Sequence, residues 1–141
     1  MTRRLRKQAS MIELGNLLDD YMLQLEKQVI RLEEILGLLL LPVQTGDSQA
    51  VCGLIREINF SIGKTAPATI TRDAAIIVTI QKAIHYKIST YGSLERLATS
   101  LGMEEACNLL HQSLEDEKDN DLLFSDLAER RINWLAEIER Y

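Results

Sequence analysis

Charged residues occupy positions of this sequence where a helix bundle needs apolar ones. Lys87 interrupts one apolar heptad row, and Glu117 and Asp121 interrupt two others. Lys87 precedes Gly102 by as many residues as Glu117 follows it, so a turn at that glycine brings the two to one level. A buried lysine facing a buried glutamate neutralises two charges that would each be costly alone. We therefore predict a buried polar cluster of these three residues with His85; the alternative is that they lie at the bundle edge and reach water.

Carboxylates inside a helix bundle also suggest a dinuclear metal site. Such a site takes a glutamate from each of two helices and a Glu-x-x-His pair from each of the other two. The candidate positions here are Tyr21, Gln24 and Gln28, then Ile84 and Lys87, then Glu115, Asp116, Glu117 and Asp121. Only the last helix supplies acids, and a lysine ammonium near them replaces the charge of a metal and repels it. We predict no cofactor; the alternative is iron or manganese bound by these acids, with His85 assisting and further ligands from a partner chain.

The remaining reactive side chains do not form a catalytic arrangement. Cys107 and His111 lie four positions apart on one helix face, but two ligands do not make a metal site. His85 has no cysteine, serine or aspartate arranged with it for nucleophilic chemistry. The sequence contains no glycine-rich phosphate loop, no nucleophile elbow and no His-Glu-x-x-His motif. These features predict a protein that is not an enzyme.

Three long amphipathic helices must position the charged residues. Heptad rows predict helices over residues 10–40, 72–101 and 103–139, and a short amphipathic helix over residues 50–60. Ser10, with Glu13 three residues later, predicts a capping box for the first helix, and Thr71 is the expected cap of the second. Gly102 is the expected helix stop, and so short a connection makes the last two helices antiparallel neighbours. The fold class is therefore all-α.

Composition limits the classes of protein to which the chain can belong. It has 141 residues, which suits a single domain over residues 1–141, and its net charge of −5 argues against nucleic acid as a general partner. A basic cluster over residues 3–7 is most simply a solvated helix start. The start of the chain is basic, but no apolar h-region follows it, so it is not expected to be a signal peptide, and the longest apolar run is too short to span a bilayer. Two cysteines without metal-site spacing fit a reducing compartment, so we expect a cytoplasmic protein.

Several stretches resemble the YciE/YciF family of bacterial ferritin-like proteins. The resemblance covers roughly residues 9–130 in one register. It is carried by residues 72–75, by residues 81–94 with their His85-Tyr86 and Tyr91-Gly92 pairs, by Leu101-Gly102, and by residues 114–118 with Asp121 and residues 126–128. Upstream, residues 13–14, 31–33 and 52–55 also fit. The resemblance implies a ferritin-like antiparallel bundle, usually a dimer, linked to stress responses.

The family's ligand motifs are altered in this sequence. A His-x-x-Glu motif on the first long helix falls on Tyr21 and Gln24, and a Glu-His-Tyr-Glu motif on the second falls on residues 84–87, which are Ile-His-Tyr-Lys. The acids of the last helix match at Glu117 and Asp121. The resemblance also implies an additional N-terminal helix that is largely missing here, because the chain begins near its end, either naturally or by trimming. The metal site of the family is therefore expected to be degenerate.

Loss of a helix and loss of the ligands together suggest a function. Three long helices without a fourth leave an apolar groove that a partner must cover. A homodimer formed through apolar helix faces is the simplest partner, because a two-fold axis covers both grooves at once. We predict a non-catalytic bundle that acts by association, without nucleic-acid or membrane partners. The alternative is a metal-binding member of the family, with iron or manganese, that acts in a stress response.

Overall fold

A computed structural model describes residues 1–139 of the chain. Within these residues every regular element is helical, which confirms the predicted all-α helical bundle. The elements are α1 (Thr2–Arg6), α2 (Ile12–Leu38), α3 (Gln49–Gly63), α4 (Ile70–Ser100), α5 (Glu104–Leu127), a π-helical turn (Ala128–Ile132) and α6 (Asn133–Glu139). None of the helices in this part of the chain is long and apolar enough to cross a membrane.

Gly102 forms the tight turn between α4 and α5. Its φ of +69° lies in the left-handed region, where a glycine meets no Cβ penalty. The amide of Met103 donates to the carbonyl of Ala98 at 2.9 Å, and the amide of Gly102 donates to Thr99 at 3.1 Å. These two bonds are those of a Schellman motif, which satisfies the last carbonyls of α4. The predicted helix stop and the antiparallel arrangement of the last two helices both follow from it.

The long helices pack so that α5 lies between α2 and α4. Near the start of α2, Glu13 forms an ion pair at 3.1 Å with Arg131 of the π-helical turn that follows α5. Further along α2, Tyr21 contacts Phe124 of α5, and Arg31 contacts Asp116, which comes earlier in α5, so the two helices are antiparallel. The short helix α3 packs on α4 and α1 packs on α2. Helices α2, α4 and α5 therefore meet at the middle of α5.

The core consists of two clusters along this bundle. The larger one joins α1, α2, α3, α4 and α5, and it includes an edge-to-face contact between Tyr21 and Phe124 with ring centroids 5.8 Å apart. Its fully buried aliphatic side chains each contribute about 2 kcal/mol of transfer free energy. The smaller cluster lies between α4 and α5 near Gly102 and comprises Tyr91, Ala98, Ala106, Leu110 and Leu114.

Two predicted helix caps are wrong, and two predicted helices differ from the structure in their extent. Met11, not Ser10, is the N-cap of α2, and its side chain forms no capping bond, so the predicted capping box is absent from that helix start. Thr69 caps α4 two residues before the predicted Thr71, and its Oγ1 accepts a hydrogen bond from the amide of Arg72 at 3.2 Å. The third predicted helix is interrupted by the π-helical turn. The short helix is longer than predicted, at Gln49–Gly63.

Candidate functional site

Glu117 lies at the centre of the bundle with 0% of its side chain exposed. Lys87 of α4 donates from Nζ to Glu117 Oε1 at 2.6 Å. From α2, Gln28 donates from Nε2 to the same oxygen at 2.5 Å, and Tyr21 donates from its hydroxyl to Oε2 at 3.1 Å. Tyr21 and Gln28 share one face of α2 because they are seven residues, or about two turns, apart. The carboxylate thus receives three donors from two other helices.

Gln28 links the carboxylate to a second tyrosine. Its Oε1 accepts from the hydroxyl of Tyr91 at 3.1 Å and from Lys87 Nζ at 3.4 Å. Lys87 and Tyr91 are one turn apart on α4, which places both side chains on the face that α2 approaches. We call Tyr21, Gln28, Lys87, Tyr91 and Glu117 the central network. Its polar atoms satisfy one another, as buried polar groups in native proteins do.

Burial governs the protonation of the central network. Burial lowers the pKa of Lys87 below its ordinary range, while the charge and hydrogen bond of Glu117 act in the opposite direction. Burial, assisted by the charge of Glu117, raises the pKa of Tyr91 to about 12 and that of Tyr21 further. The Lys87 ammonium also lies 4.8 Å from the centroid of the Tyr21 ring, a cation–π distance. Both phenols are protonated at neutral pH, as an ordinary phenol is, and their raised pKa values keep them hydrogen-bond donors to higher pH.

One apolar cavity leads toward the central network from solvent. It has a volume of about 310 Å³, and Tyr21 and Lys87 form part of its wall. Helices α2, α3 and α4 supply most of the lining, which includes Leu25, Leu54 and Ala83. The side chain of Lys87 is 24% exposed. Lys87 is thus the side chain of the buried ion pair that water reaches.

His85 and Asp121 lie outside the central network, so the prediction of one buried cluster that contains them is wrong. The His85 side chain is 63% exposed, and its Nε2 lies 3.2 Å from Asp121 Oδ1. Asp121 is 21% exposed and also accepts a hydrogen bond from Gln81 Nε2 at 3.1 Å, while Gln81 donates to Ser125 Oγ at 2.8 Å. A histidine next to a heptad row on α4 points away from α2, and these residues form an outer polar layer between α4 and α5.

The other predicted ligand positions are dispersed. Ile84 is fully buried in the larger apolar cluster, and Gln24 is half-buried on α2. Glu115 is 46% exposed and pairs with Lys118 at 2.7 Å on the surface of α5. Cys107 and His111 also have separate neighbours, because Cys107 Sγ lies 3.2 Å from Thr99 Oγ1 and His111 Nδ1 lies 2.8 Å from Glu95.

One polar pair next to the site was missed in the sequence. Arg31 of α2 donates from Nη1 to Asp116 at 2.5 Å and to Ser113 Oγ at 3.3 Å. The Arg31 and Asp116 side chains are only 18% and 24% exposed. The sequence contained a signal for this pair, because Arg31 follows Gln28 by about one turn and Asp116 precedes Glu117. The pair fixes the register of α2 against α5 beside the central network.

These residues do not fit a dinuclear metal site. The central network offers one carboxylate, one amide and two phenols held protonated by burial, and its cation position is taken by Lys87. Within residues 1–139, no three histidine, cysteine, aspartate or glutamate side chains lie close enough together to hold a metal ion. Hard or borderline metals need several anionic or imidazole ligands at one point. The arrangement instead holds one buried carboxylate in a fixed position.

Comparisons with known proteins agree with the resemblance found in the sequence. The family DUF892, a domain of unknown function, matches residues 1–137. Protein YciF of Escherichia coli (strain K12) is 44% identical over 88 residues, a match covering 62% of this chain and 52% of that protein. In that match the chain spans about half the length of its curated relative.

Two solved structures share the fold. The crystal structure of the E. coli stress protein YciF superposes with a TM-score of 0.85 and 32% identity, covering 94% of this chain and 85% of that one. YcfI from Rhodopseudomonas palustris, proposed to be a structural protein, has a TM-score of 0.83 and 28% identity, with coverages of 88% and 78%. The predicted relation to YciF is confirmed by these matches.

Proposed function

Because this chain belongs to the DUF892 family of domains of unknown function, we propose that it is a non-catalytic, metal-free bundle that acts by association. The observation that carries the proposal is the ion pair of Lys87 and Glu117, with Nζ 2.6 Å from a carboxylate oxygen that is fully buried. The lysine supplies the positive charge that a metal would otherwise supply. A buried carboxylate with an internal counter-charge needs no ion.

The association surface in this proposal is an apolar groove at the Gly102 end of the bundle. It has a volume of about 390 Å³ and lies between the end of α2 and the α4–α5 turn. We call it the leucine groove; it is lined by Leu32, Ile35, Leu36, Leu39, Leu94, Leu97, Ala98, Leu101, Met103, Ala106 and Leu110. Leu97 and Leu101 are 54% and 65% exposed. Contiguous apolar surface of this kind in a monomer marks an interaction site.

We propose a second copy of the chain as the partner. Pairing about a two-fold axis lets each leucine groove cover the other, so one contact removes both from water. We further propose that residues 1–141 form one ferritin-like domain in the cytoplasm. The description of E. coli YciF as a stress protein supports a role in stress conditions. The structural role proposed for YcfI supports a function without catalysis.

Elemental analysis tests the metal-free part of the proposal. The purified protein is measured before and after anaerobic incubation with Fe(II) or Mn(II), followed by desalting. The expected result is no stoichiometric metal in either sample. Uptake of one or more ions per chain that is lost in Glu117→Gln would overturn the proposal and favour the metal-binding alternative.

Light scattering coupled to size exclusion tests the association. The expected result is a dimer whose population falls on dilution. A well-behaved monomer at every concentration would remove the second copy as a partner.

A further inference from the structure

A second cavity lies where α1 crosses the end of α3 and the start of α4. Its volume is about 250 Å³, and it is more enclosed than the cavity beside Lys87. The floor is apolar, because Leu5, Ile58 and Ile62 are 3%, 2% and 6% exposed. The charged side chains on its wall are two arginines, Arg4 and Arg72, and none of the aspartates or glutamates within residues 1–139 lines it. Positive charge is thus concentrated over apolar surface in a protein whose net charge is −5.

The guanidinium of Arg72 is held in place by neutral groups. Its Nε donates to Thr65 Oγ1 at 3.1 Å, and its Nη2 donates to the carbonyls of Ile62, at 3.1 Å, and Thr65. The carbonyl of Ile62 lies in the last turn of α3 and that of Thr65 follows the helix, and both carry only partial negative charge. Nη1 takes no part in these bonds. Arg72 is therefore held in one orientation, which reduces the entropy that binding an anion would cost. It also keeps most of its positive charge, because its partners are neutral groups.

Nearby acids are engaged elsewhere. Asp73, the neighbour of Arg72 in the chain, is fully buried and accepts hydrogen bonds from the amides of Ser10 and Met11 at 2.8 Å. Glu139 accepts the amides of Ile70 and Thr71 at the start of α4. Among the residues that the structure describes, neither Arg4 nor Arg72 forms a salt bridge.

We propose that this cavity binds a small organic anion with a short apolar chain. Arg4, together with Nη1 of Arg72, would hold a carboxylate or phosphate group, since guanidinium N–H groups pair with both. The amides of Gln8 and Asn59 on the wall add neutral polar groups, and the apolar floor receives the chain. The low polarity of that floor strengthens the attraction between the charges. The cavity is smaller than a typical drug-sized site, so the ligand has a short chain. The inference does not depend on the proposed association, which uses the opposite end of the bundle.

Calorimetric titration with simple probes tests the inference. Hexanoate and butyl phosphate carry both features, inorganic phosphate carries only charge, and hexan-1-ol carries only the chain. We expect saturable binding of at least one of the first two, with one ligand per chain. Inorganic phosphate and hexan-1-ol should bind at least about tenfold more weakly, because the first lacks the apolar chain and the second lacks the charge. The ratio between hexanoate and butyl phosphate identifies the preferred head group. Equal binding of hexan-1-ol and hexanoate would overturn the proposal, as would the absence of saturable binding by both anions.

A matched pair of variants on α1 assigns the site. Arg4→Gln should weaken binding by about tenfold, because a charge-assisted contact is lost. Arg3→Gln removes the same charge from an exposed neighbour that does not line the cavity, and it should leave the affinity unchanged. Arg72→Lys keeps the charge but loses the hydrogen bonds to Thr65 and Ile62 that fix the guanidinium. It should therefore also weaken binding, and circular dichroism checks that the helices remain. Equal affinities for Arg4→Gln and Arg3→Gln would place any binding elsewhere and overturn the proposal.

Discussion

At the scale of single residues, Glu117 shows why one lysine determines the character of the site. An ionised carboxylate without water is costly unless donors replace its solvation. Lys87, Gln28 and Tyr21 supply those donors, and Lys87 also supplies the opposite charge. A buried ion pair of this kind adds little net stability relative to apolar residues, but removing one partner leaves the other uncompensated. The cost of the arrangement therefore becomes visible only when it is broken.

Replacing Lys87 with methionine should destabilise the protein strongly. Lys87→Met retains most of the side-chain volume but removes the charge that faces Glu117. We expect the free energy of unfolding at neutral pH to fall by about 3–5 kcal/mol, because a buried carboxylate is left unpaired. Urea unfolding followed by circular dichroism measures the change.

Two further variants control this prediction. Lys82→Met removes an exposed lysine from the same helix, where its pair with Glu57 has side chains 43% and 50% exposed, and it should cost less than about 1 kcal/mol. Lys87→Met combined with Glu117→Gln removes both charges and should recover much of the loss. If Lys87→Met is no more destabilising than Lys82→Met, the internal pair does not stabilise the fold.

Tyr91 should make the protein sensitive to alkaline pH. Burial raises the pKa of Tyr91 from its ordinary 10.0 to about 12, so the folded chain keeps a proton that the unfolded chain releases. This stability is fully present below pH 10.0 and is lost as the pH rises to about 12. A shift of this size corresponds to about 2–3 kcal/mol. Unfolding free energies measured across this range should fall less steeply in Tyr91→Phe than in the natural sequence.

A tyrosine with a freer side chain provides the comparison for Tyr91. Tyr86 lies on the same helix and is 37% exposed, so Tyr86→Phe should follow the natural sequence through the alkaline range. Below pH 10.0, Tyr91→Phe should cost only about 1 kcal/mol, for the hydrogen bond to Gln28. Parallel pH curves for the natural sequence and Tyr91→Phe would contradict the assigned role of burial.

The pairing of Lys87 with Glu117 could be anticipated from the sequence, but the hydrogen bonds of Gln28 could not. Equal spacing from Gly102 places Lys87 opposite Glu117 once the turn is recognised, and the two atoms are 2.6 Å apart. The prediction that His85 belongs to the buried cluster was wrong, because a residue beside a heptad row turns outward by a fraction of a helical turn. The role of Gln28 as a bridge depends on side-chain rotamers across three helices, which spacing does not determine.

At the scale of elements, the start of α2 is held by a side chain from another helix. Asp73 of α4 is fully buried and accepts the amides of Ser10 and Met11 at 2.8 Å each, one on each oxygen. Burial raises the pKa of Asp73, and these two hydrogen bonds act in the opposite direction. The amides of the N-cap of α2 and of the residue before it, which have no helical partner, are thus satisfied by a residue that is distant in the chain. The contact also ties α1 and the connection that follows it to α4.

Changing Asp73 to asparagine should loosen this junction. Asp73→Asn keeps the shape but leaves one acceptor oxygen for two amide donors, so one donor loses its partner. We expect a loss of about 1–3 kcal/mol in unfolding free energy and faster hydrogen exchange at Ser10 and Met11. Thr69→Ala, which removes the cap of α4 itself, should cost about 1 kcal/mol without changing exchange at those two amides. Unchanged exchange in Asp73→Asn would show that the carboxylate does not hold the start of α2.

Helices were easier to predict than the groups that end them. Heptad rows identify the long helices because their apolar period continues for many turns. Gly102 marks the turn because a glycine adopts its φ of +69° without a Cβ penalty. Ser10 satisfied a local capping rule, yet its own amide is bound by Asp73, 63 residues away in the chain. Helix α1 has only five residues, too few for a period, and it is held by burial of Leu5. Contacts that are distant in sequence therefore decided the boundaries.

At the scale of the whole molecule, polar and apolar features separate along the bundle axis. The central network sits at mid-height of α5, the arginine-lined cavity lies near the ends of α1 and α3, and the leucine groove surrounds the α4–α5 turn. The net charge of −5 gives two copies a weak mutual repulsion. Apolar burial in the groove must exceed that repulsion for association to occur, so higher salt should strengthen the dimer by screening the charge.

The leucine groove should control association without controlling stability. Leu97 and Leu101 are 54% and 65% exposed, so Leu97→Gln with Leu101→Gln removes little from the core. In a two-fold dimer each substitution is present in the interface twice, once from each copy. Since burying a leucine contributes about 1.5–3 kcal/mol when complete, we expect the dimer dissociation constant to rise at least tenfold. Leu122→Gln alters an equally exposed leucine of α5, 67% exposed and outside the groove, and should leave the constant unchanged. Light scattering over a dilution series measures the dimer dissociation constant of the natural sequence and of both variants. If only Leu122→Gln weakens the dimer, the interface lies on another face of the bundle.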